Sequence, residues 1–128
     1  MIAVDTSALM AIVLNEPEAD AFAAVLEAED RLLISAGTIA EALIAAGRRN
    51  VGEEMTQLID GLGFEIVSVT LASSRRIAKA YAKWGKGLHP AALNFGDCFA
   101  YEVAKEHGCA LLYIGQDFSQ TDVESPLG

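Results

Sequence analysis

Apolar residues along the chain fall into two patterns. Four short runs, Ile2-Ala-Val4, Leu32-Leu-Ile34, Phe64-Glu-Ile-Val-Ser-Val69 and Ala110-Leu-Leu-Tyr-Ile114, are too brief for helices and read as strands, Phe64–Val69 most clearly. Between them the apolar positions recur at helical spacing. Ser7 to Leu14 is a short helix stopped by Asn15 and Pro17, and Glu18 to Glu29 carries Ala21, Phe22, Val25 and Leu26 on one face. Thr38 to Arg49 presents Ile39, Leu43 and Ala46 on one side, and Glu53 to Leu62 closes at Gly61 and Gly63. Leu71 to Trp84 and Asn94 to His107 complete the helices, the last ended by Gly108. Gly85 to Ala92, with two glycines and Pro90, is a loop.

Strands alternating with helices predict an α/β protein with a mainly parallel central sheet. In such sheets ligands bind outside the carboxyl ends of the strands, near the point where the strand order reverses. At 128 residues with no repeats or linkers, the chain is expected to form one domain over 1–128, with Ser125 to Gly128 as a flexible tail.

Composition narrows the class. A hydrophobic fraction of 52% supports a full core and excludes a disordered chain. No apolar run approaches the ~20 residues of a membrane helix. No Lys or Arg precedes the apolar stretch Ala8–Leu14, and Asp5 does, the reverse of a secretory signal, so a cytoplasmic location is expected. Cys98 and Cys109 fit neither a zinc spacing nor a disulfide framework and read as small buried hydrophobes. Eighteen acids against nine bases give a net charge of −9, which argues against indiscriminate nucleic-acid binding. Five of those nine bases, Arg75, Arg76, Lys79, Lys83 and Lys86, nevertheless lie within twelve residues. Such a stripe is either a solvated helix face or a local contact for a phosphate backbone.

The chemistry sits in the acids. Asp5 directly follows the first strand, and Asp117 follows the last one in the same topological position. Glu41 falls in the first turn of the helix after the second strand, and Asp97 in the first turn of the helix feeding the last. Carboxylates gathered in this way repel one another unless a cation neutralises them, and oxygen-only ligands favour Mg²⁺ or Mn²⁺ over zinc. Each has a purely structural reading as well. Thr38-Ile-Ala-Glu41 fits a capping box, Asp97 can complement its helix N-terminus behind an Asn94 cap, and Asp117 can be a turn residue. Asp5 is hardest to explain structurally, because a carboxylate ending a buried strand is costly unless paired or metal-bound.

Val4-Asp5-Thr6-Ser7-Ala8-Leu9, Ser35 through Glu41, Asn94-Phe95-Gly96-Asp97-Cys98 and Leu111 through Phe118 resemble the motifs of PIN-domain ribonucleases, above all the VapC toxins of bacterial type II VapBC toxin–antitoxin pairs. The resemblance runs from Met1 to about Val123 and implies a three-layer α/β/α PIN-like fold. It matches the family's acids to Asp5, Glu41 and Asp97. Asp117 stands where many relatives have two acids, here with Gly115 and Gln116 before it. Thr6 or Ser7 matches a small hydroxyl residue beside the metal. The implied activity is Mg²⁺-dependent endoribonuclease cleavage, with Mn²⁺ able to substitute. Asp5 and Asp97 are the expected metal ligands, Glu41 the group that orients or deprotonates water, and Asp117 the holder of a second metal or a metal-bound water.

The implied partners are RNA, a VapB-type antitoxin bearing Arg or Lys near Asp5 and Asp97, and a second copy of the chain. The apolar faces Ala21, Phe22, Val25, Leu26 and Ile39, Leu43, Ala46 are expected to supply part of the protein-binding surface. Arg75, Arg76, Lys79 and Lys83 are expected to meet the RNA backbone, with Lys86 and His89 continuing the cationic trend. Two other readings compete: a haloacid-dehalogenase-type phosphatase, weakened by Thr6 and Ser7 where a second acid is needed, and a non-catalytic interaction module. A receiver domain is disfavoured because no acidic pair follows the first strand.

Overall fold

The four apolar runs become four parallel strands, β1 (Ile2–Val4), β2 (Leu32–Ser35), β3 (Glu65–Val67) and β4 (Ala110–Leu112), in the order β3-β2-β1-β4. They belong to a computed structural model that describes residues 1–127. Six α-helices connect and cover them: α1 (Thr6–Val13), α2 (Ala19–Ala28), α3 (Ala36–Arg48), α4 (Gly52–Leu62), α5 (Leu71–Trp84) and α6 (Phe95–His107). A 3-10 turn follows at Phe118–Gln120.

Successive strand residues point to opposite faces, and here both faces are apolar. Ile2, Val4, Leu32, Ile34 and Leu112 pack with Leu9, Phe22, Ala42, Met55 and Ile59 from α1 to α4. Ala3, Leu33 and Leu111 pack with Ile77 and Ala80 of α5, Cys98 and Val103 of α6, and Phe118. The result is the expected three-layer α/β/α arrangement with a fully parallel sheet. After β3 the chain crosses back to add β4 on the other side of β1. The strand order therefore reverses between β1 and β4, and the crevice beyond their carboxyl ends is the natural ligand position.

Several boundaries differ from the sequence reading, each for a local reason. The third strand is shorter than Phe64–Val69, because Phe64 turns into the core and Thr70 caps α5. The last strand stops at Leu112, where β1 also ends, and the amide of Ile114 donates to Ser7 Oγ instead of a strand. Most consequential is α3. It begins at Ala36, not Thr38, since Ser35 caps it by accepting from Gly37 N at 3.1 Å. Glu41 therefore lies in the second turn, beyond reach of a capping position, and the Thr38–Glu41 capping box does not form.

Some apolar surface assigned to partners is in fact core. Phe22, Leu26 and Ala46 are buried, because α2 and α3 lay those positions against α1 and the sheet. Leu43 and Ala21 remain exposed. Cys98 is buried and Cys109 half-buried, both as free thiols. Glu124 O accepts from Leu111 N at 2.8 Å, so the chain after Val123 runs beside β4. Of the expected tail, Ser125 and Pro126 are half-buried, and Gly128 lies outside the described residues. No helix among the described residues is long and apolar enough to cross a membrane.

Candidate active site

Asp5 ends β1 and caps α1, and it is only 3% exposed. Its Oδ2 accepts from the amide of Ser7 at 3.0 Å and from Ser7 Oγ at 2.6 Å. Ser7 Oγ in turn accepts from Ile114 N at 3.0 Å, so one hydroxyl fixes the carboxylate and ties the ends of β1 and β4 together. The other oxygen, Oδ1, is buried with no hydrogen-bond partner among the described residues. An orphaned buried acceptor costs about 1–3 kcal/mol, more when charged, so this atom calls for a cation. Burial pushes the Asp5 carboxyl up to about 6, with the charge of Glu41 adding to it and the Ser7 bonds opposing it.

Glu41 reaches back from the second turn of α3, and its Oε1 accepts from Thr6 Oγ1 at 2.6 Å. The adjacent hydroxyls thus have separate duties: Thr6 holds Glu41, and Ser7 holds Asp5. Sequence similarity left these two interchangeable. Asp97 is half-buried in the first turn of α6, where it shares a capping box with Asn94. Its Oδ2 accepts from Asn94 N at 2.9 Å, and Asn94 Oδ1 accepts from Asp97 N at 2.8 Å. The structural role read from the sequence is therefore real, but it occupies only one carboxylate oxygen. Burial raises Asp97 to about 7, the Asn94 bond opposes this, and the charges of Asp5, Glu41 and Asp117 push it further up. Asp117 is exposed, just beyond the left-handed Gly115 (φ 99°), and its side chain caps nothing.

Asp97 therefore feels the charges of three acids from three other segments, Asp5, Glu41 and Asp117, near the switch point. Among the described residues no three His, Cys, Asp or Glu side chains form a ready-made metal cage. Glu41 is held by Thr6, and Asp97 by Asn94. The donor set still fits a hard divalent cation. It is all oxygen, it offers the orphaned Oδ1 of Asp5, and it carries two carboxyls whose charged forms lack a counter-charge.

The basic stripe divides. Arg76 Nε lies 3.0 Å from Glu102 and 3.4 Å from Glu106 on α6, and Glu102 is 5% exposed. That guanidinium neutralises a buried carboxylate through Nε, while the Arg76 side chain stays 41% exposed. Arg75, Lys79 and Lys83 are exposed, and Lys83 Nζ lies 4.8 Å from the Trp84 ring. Beside the acids the surface is apolar instead. Phe95 is 70% exposed and Ile44 61%, and the Phe95 ring stands edge-on to Phe99 at 4.9 Å. Hollows of about 390 and 340 Å³ flank this pair, one reaching Val69 and Tyr81, the other Ile44 and Glu41.

Fold and site define an α/β/α protein whose acidic crevice suits hard-metal chemistry on a phosphate ester. The PIN domain family model matches residues 2–124. The chain is 38% identical to VapC ribonuclease Mb0640 of Mycobacterium bovis over 94% of both proteins. It is 40% identical to ribonuclease VapC36 of Mycobacterium tuberculosis, covering 94% of this chain and 90% of that one. Among solved structures it is similar to the M. tuberculosis sarcin-ricin loop cleaving toxin VapC20, with a TM-score of 0.79, 15% identity and 96% of each chain covered. It is also similar to VapBC2 from Rickettsia felis bound to a promoter DNA fragment, with a TM-score of 0.72, 17% identity and coverage of 98% and 96%. The chain belongs to the PIN-domain family.

Proposed function

We propose that this protein is a metal-dependent endoribonuclease and the toxin of a VapBC-type pair. The observation that carries this reading is the convergence of Asp5, Glu41, Asp97 and Asp117, with the Asp5 Oδ1 atom buried and unpartnered. Relatives over nearly the whole chain are named VapC ribonucleases, and ribonucleases of this family depend on metal. For this chain the ion is Mg²⁺, with Mn²⁺ a substitute. Asp5 and Asp97 would hold it through the oxygens that Ser7 and Asn94 leave free. When bound, it supplies a more acidic water and offsets charge on the phosphate oxygens. Glu41, steadied by Thr6, would orient the attacking water and could take up its proton at a carboxylate oxygen. Asp117, on the exposed loop, would hold a second ion or a metal-bound water.

The test is cleavage of single-stranded RNA by the purified chain. Cleavage is expected with millimolar Mg²⁺ or Mn²⁺, to vanish with a chelator and to return when metal is restored. Cleavage indifferent to the chelator overturns the reading.

The partners follow from the surface. A site this anionic fits an antitoxin segment bearing Arg or Lys, and the exposed apolar ground around Phe95, Phe99 and Ile44 fits a protein contact beside it. We assign part of that ground to a homodimer, read by light scattering of the chain without antitoxin. Its place of action is the cytoplasm. Arg75, Lys79 and Lys83, with the part-exposed Arg76 beside them, are the cations assigned to the RNA backbone. Reversing the charges of Lys79 and Lys83 should weaken RNA binding and flatten its salt dependence by about one unit of slope per lost contact. An unchanged slope would make them solvated surface only.

A further inference from the structure

Two glycines stand where α3 and α6 meet at the acids, and both are in close contact across that junction. A Cβ built on Gly37, in the first turn of α3, would lie 2.7 Å from Phe99 Cε1. A Cβ on Gly96, in the first turn of α6, would lie 2.5 Å from Glu41 Cδ and closer still to Oε2. Carbon atoms do not approach so closely, so in each case something must give way. At Gly37 the obstacle is an aromatic ring already packed edge-on against Phe95. At Gly96 it is the free end of a flexible side chain, which can swing aside.

Gly96 needs no unusual backbone, since it lies within a regular helix and has no positive φ. Alanine is a better helix former than glycine. The absence of a side chain at residue 96 therefore serves nothing in α6 itself. Its consequence is across the junction, where the Glu41 carboxyl rests on the bare Cα between Thr6 on one side and the start of α6 on the other. The N-terminal end of a helix is also electropositive, which favours a carboxylate there.

We infer that Gly96 is a positioning residue for Glu41: it leaves the space that lets this carboxyl meet Thr6 and stand beside Asp97. This rests on the nuclease reading for its catalytic consequence, but not for its geometric one. Gly96→Ala should displace Glu41 without unfolding α6. RNA cleavage should fall to within about threefold of Glu41→Gln. Adding Gly96→Ala to Glu41→Gln should produce little further loss, because the two changes remove the same thing. Glu41→Asp, shorter by one methylene, should restore part of the activity when combined with Gly96→Ala, while lowering it when made alone.

A second readout needs neither metal nor RNA. In thermal melts of the metal-free chain, Thr6→Val alone should lower the Tm. Made on top of Gly96→Ala, where the Thr6–Glu41 bond is already lost, it should do so by less than a third as much. Coupled melts together with the loss of cleavage support the inference. Independent melts overturn it, as does Gly96→Ala cleaving at the wild-type rate. Coupled melts in a chain whose unsubstituted form cuts no RNA would defeat the nuclease reading and uphold the placement of Glu41.

Discussion

Replacing Asp97 by asparagine is expected to abolish metal-dependent RNA cleavage while raising the Tm of the metal-free protein. Asparagine keeps an oxygen for the Asn94 amide, so the cap on α6 survives. What disappears is the charge that Asp5, Glu41 and Asp117 all oppose and that burial disfavours. Relief of that repulsion is worth about 1 kcal/mol, or about 4 °C for a domain of this size. Cleavage should fall by at least about a hundredfold, the scale on which losing one electrostatic group at a phosphoryl or acyl centre is felt. Asp5→Asn should silence the enzyme equally. Its Tm gain should be smaller, because the amide nitrogen at the Oδ1 position becomes a buried donor without an acceptor. A variant cutting RNA at the wild-type rate would remove that residue from the site.

The same two carboxyls are expected to make the metal-free protein lose stability as pH rises. Both have an ordinary value of 3.8, and in the folded chain Asp5 lies at about 6 and Asp97 at about 7. Between about pH 4 and pH 7 the folded state therefore holds more protons than the unfolded one, and the slope of stability against pH is negative. The ion pairs of the fold contribute elsewhere. Glu65 with Arg31, and Asp30 with the N-terminal amine, have depressed carboxyl values, so their stabilisation is lost only in more acidic solution. The amine itself, raised above 8.0, loses its share at more alkaline pH. With a chelator present, the Tm should thus be higher near pH 5 than near pH 7.5. With saturating Mn²⁺ the decline should shrink or reverse, since metal binds the deprotonated carboxylates and its affinity grows across the same window. A metal-free Tm that is flat or rising from pH 5 to 7.5 would contradict the shared buried charge.

Much of this protein was legible without coordinates. Each strand showed as an apolar run, and α5 had its true limits, with Thr70 and Ser73 forming a capping box at its start. Asp5, Asp97 and Asp117 stood at the ends of elements, and the rule that parallel sheets bind ligands at their carboxyl edge brought them to one place. The error at α3 is instructive. Thr38-Ile-Ala-Glu41 matches a capping box as well as many real ones do, but Ser35 caps the helix earlier, so Glu41 was freed for Thr6.

Periodicity, caps and turns arise among neighbours in the chain, so the amino-acid order alone determined the elements and the parallel sheet. Other features join residues far apart. Ser7 meets Ile114 across 107 positions, Thr6 meets Glu41 across 35, and Arg76 meets Glu102 across 26. Nothing local distinguishes Arg76 from Lys79, or marks Gly96 as the glycine under a carboxylate. Ser7 reaches Asp5 locally within the first turn of α1, but only the packing of α1 against α3 decided that Thr6 serves Glu41. The packing of α3, α5 and α6 around the sheet decided which cation pairs with a buried glutamate and which apolar side chains stay in solvent, because those outcomes depend on distances that close only when the layers come together.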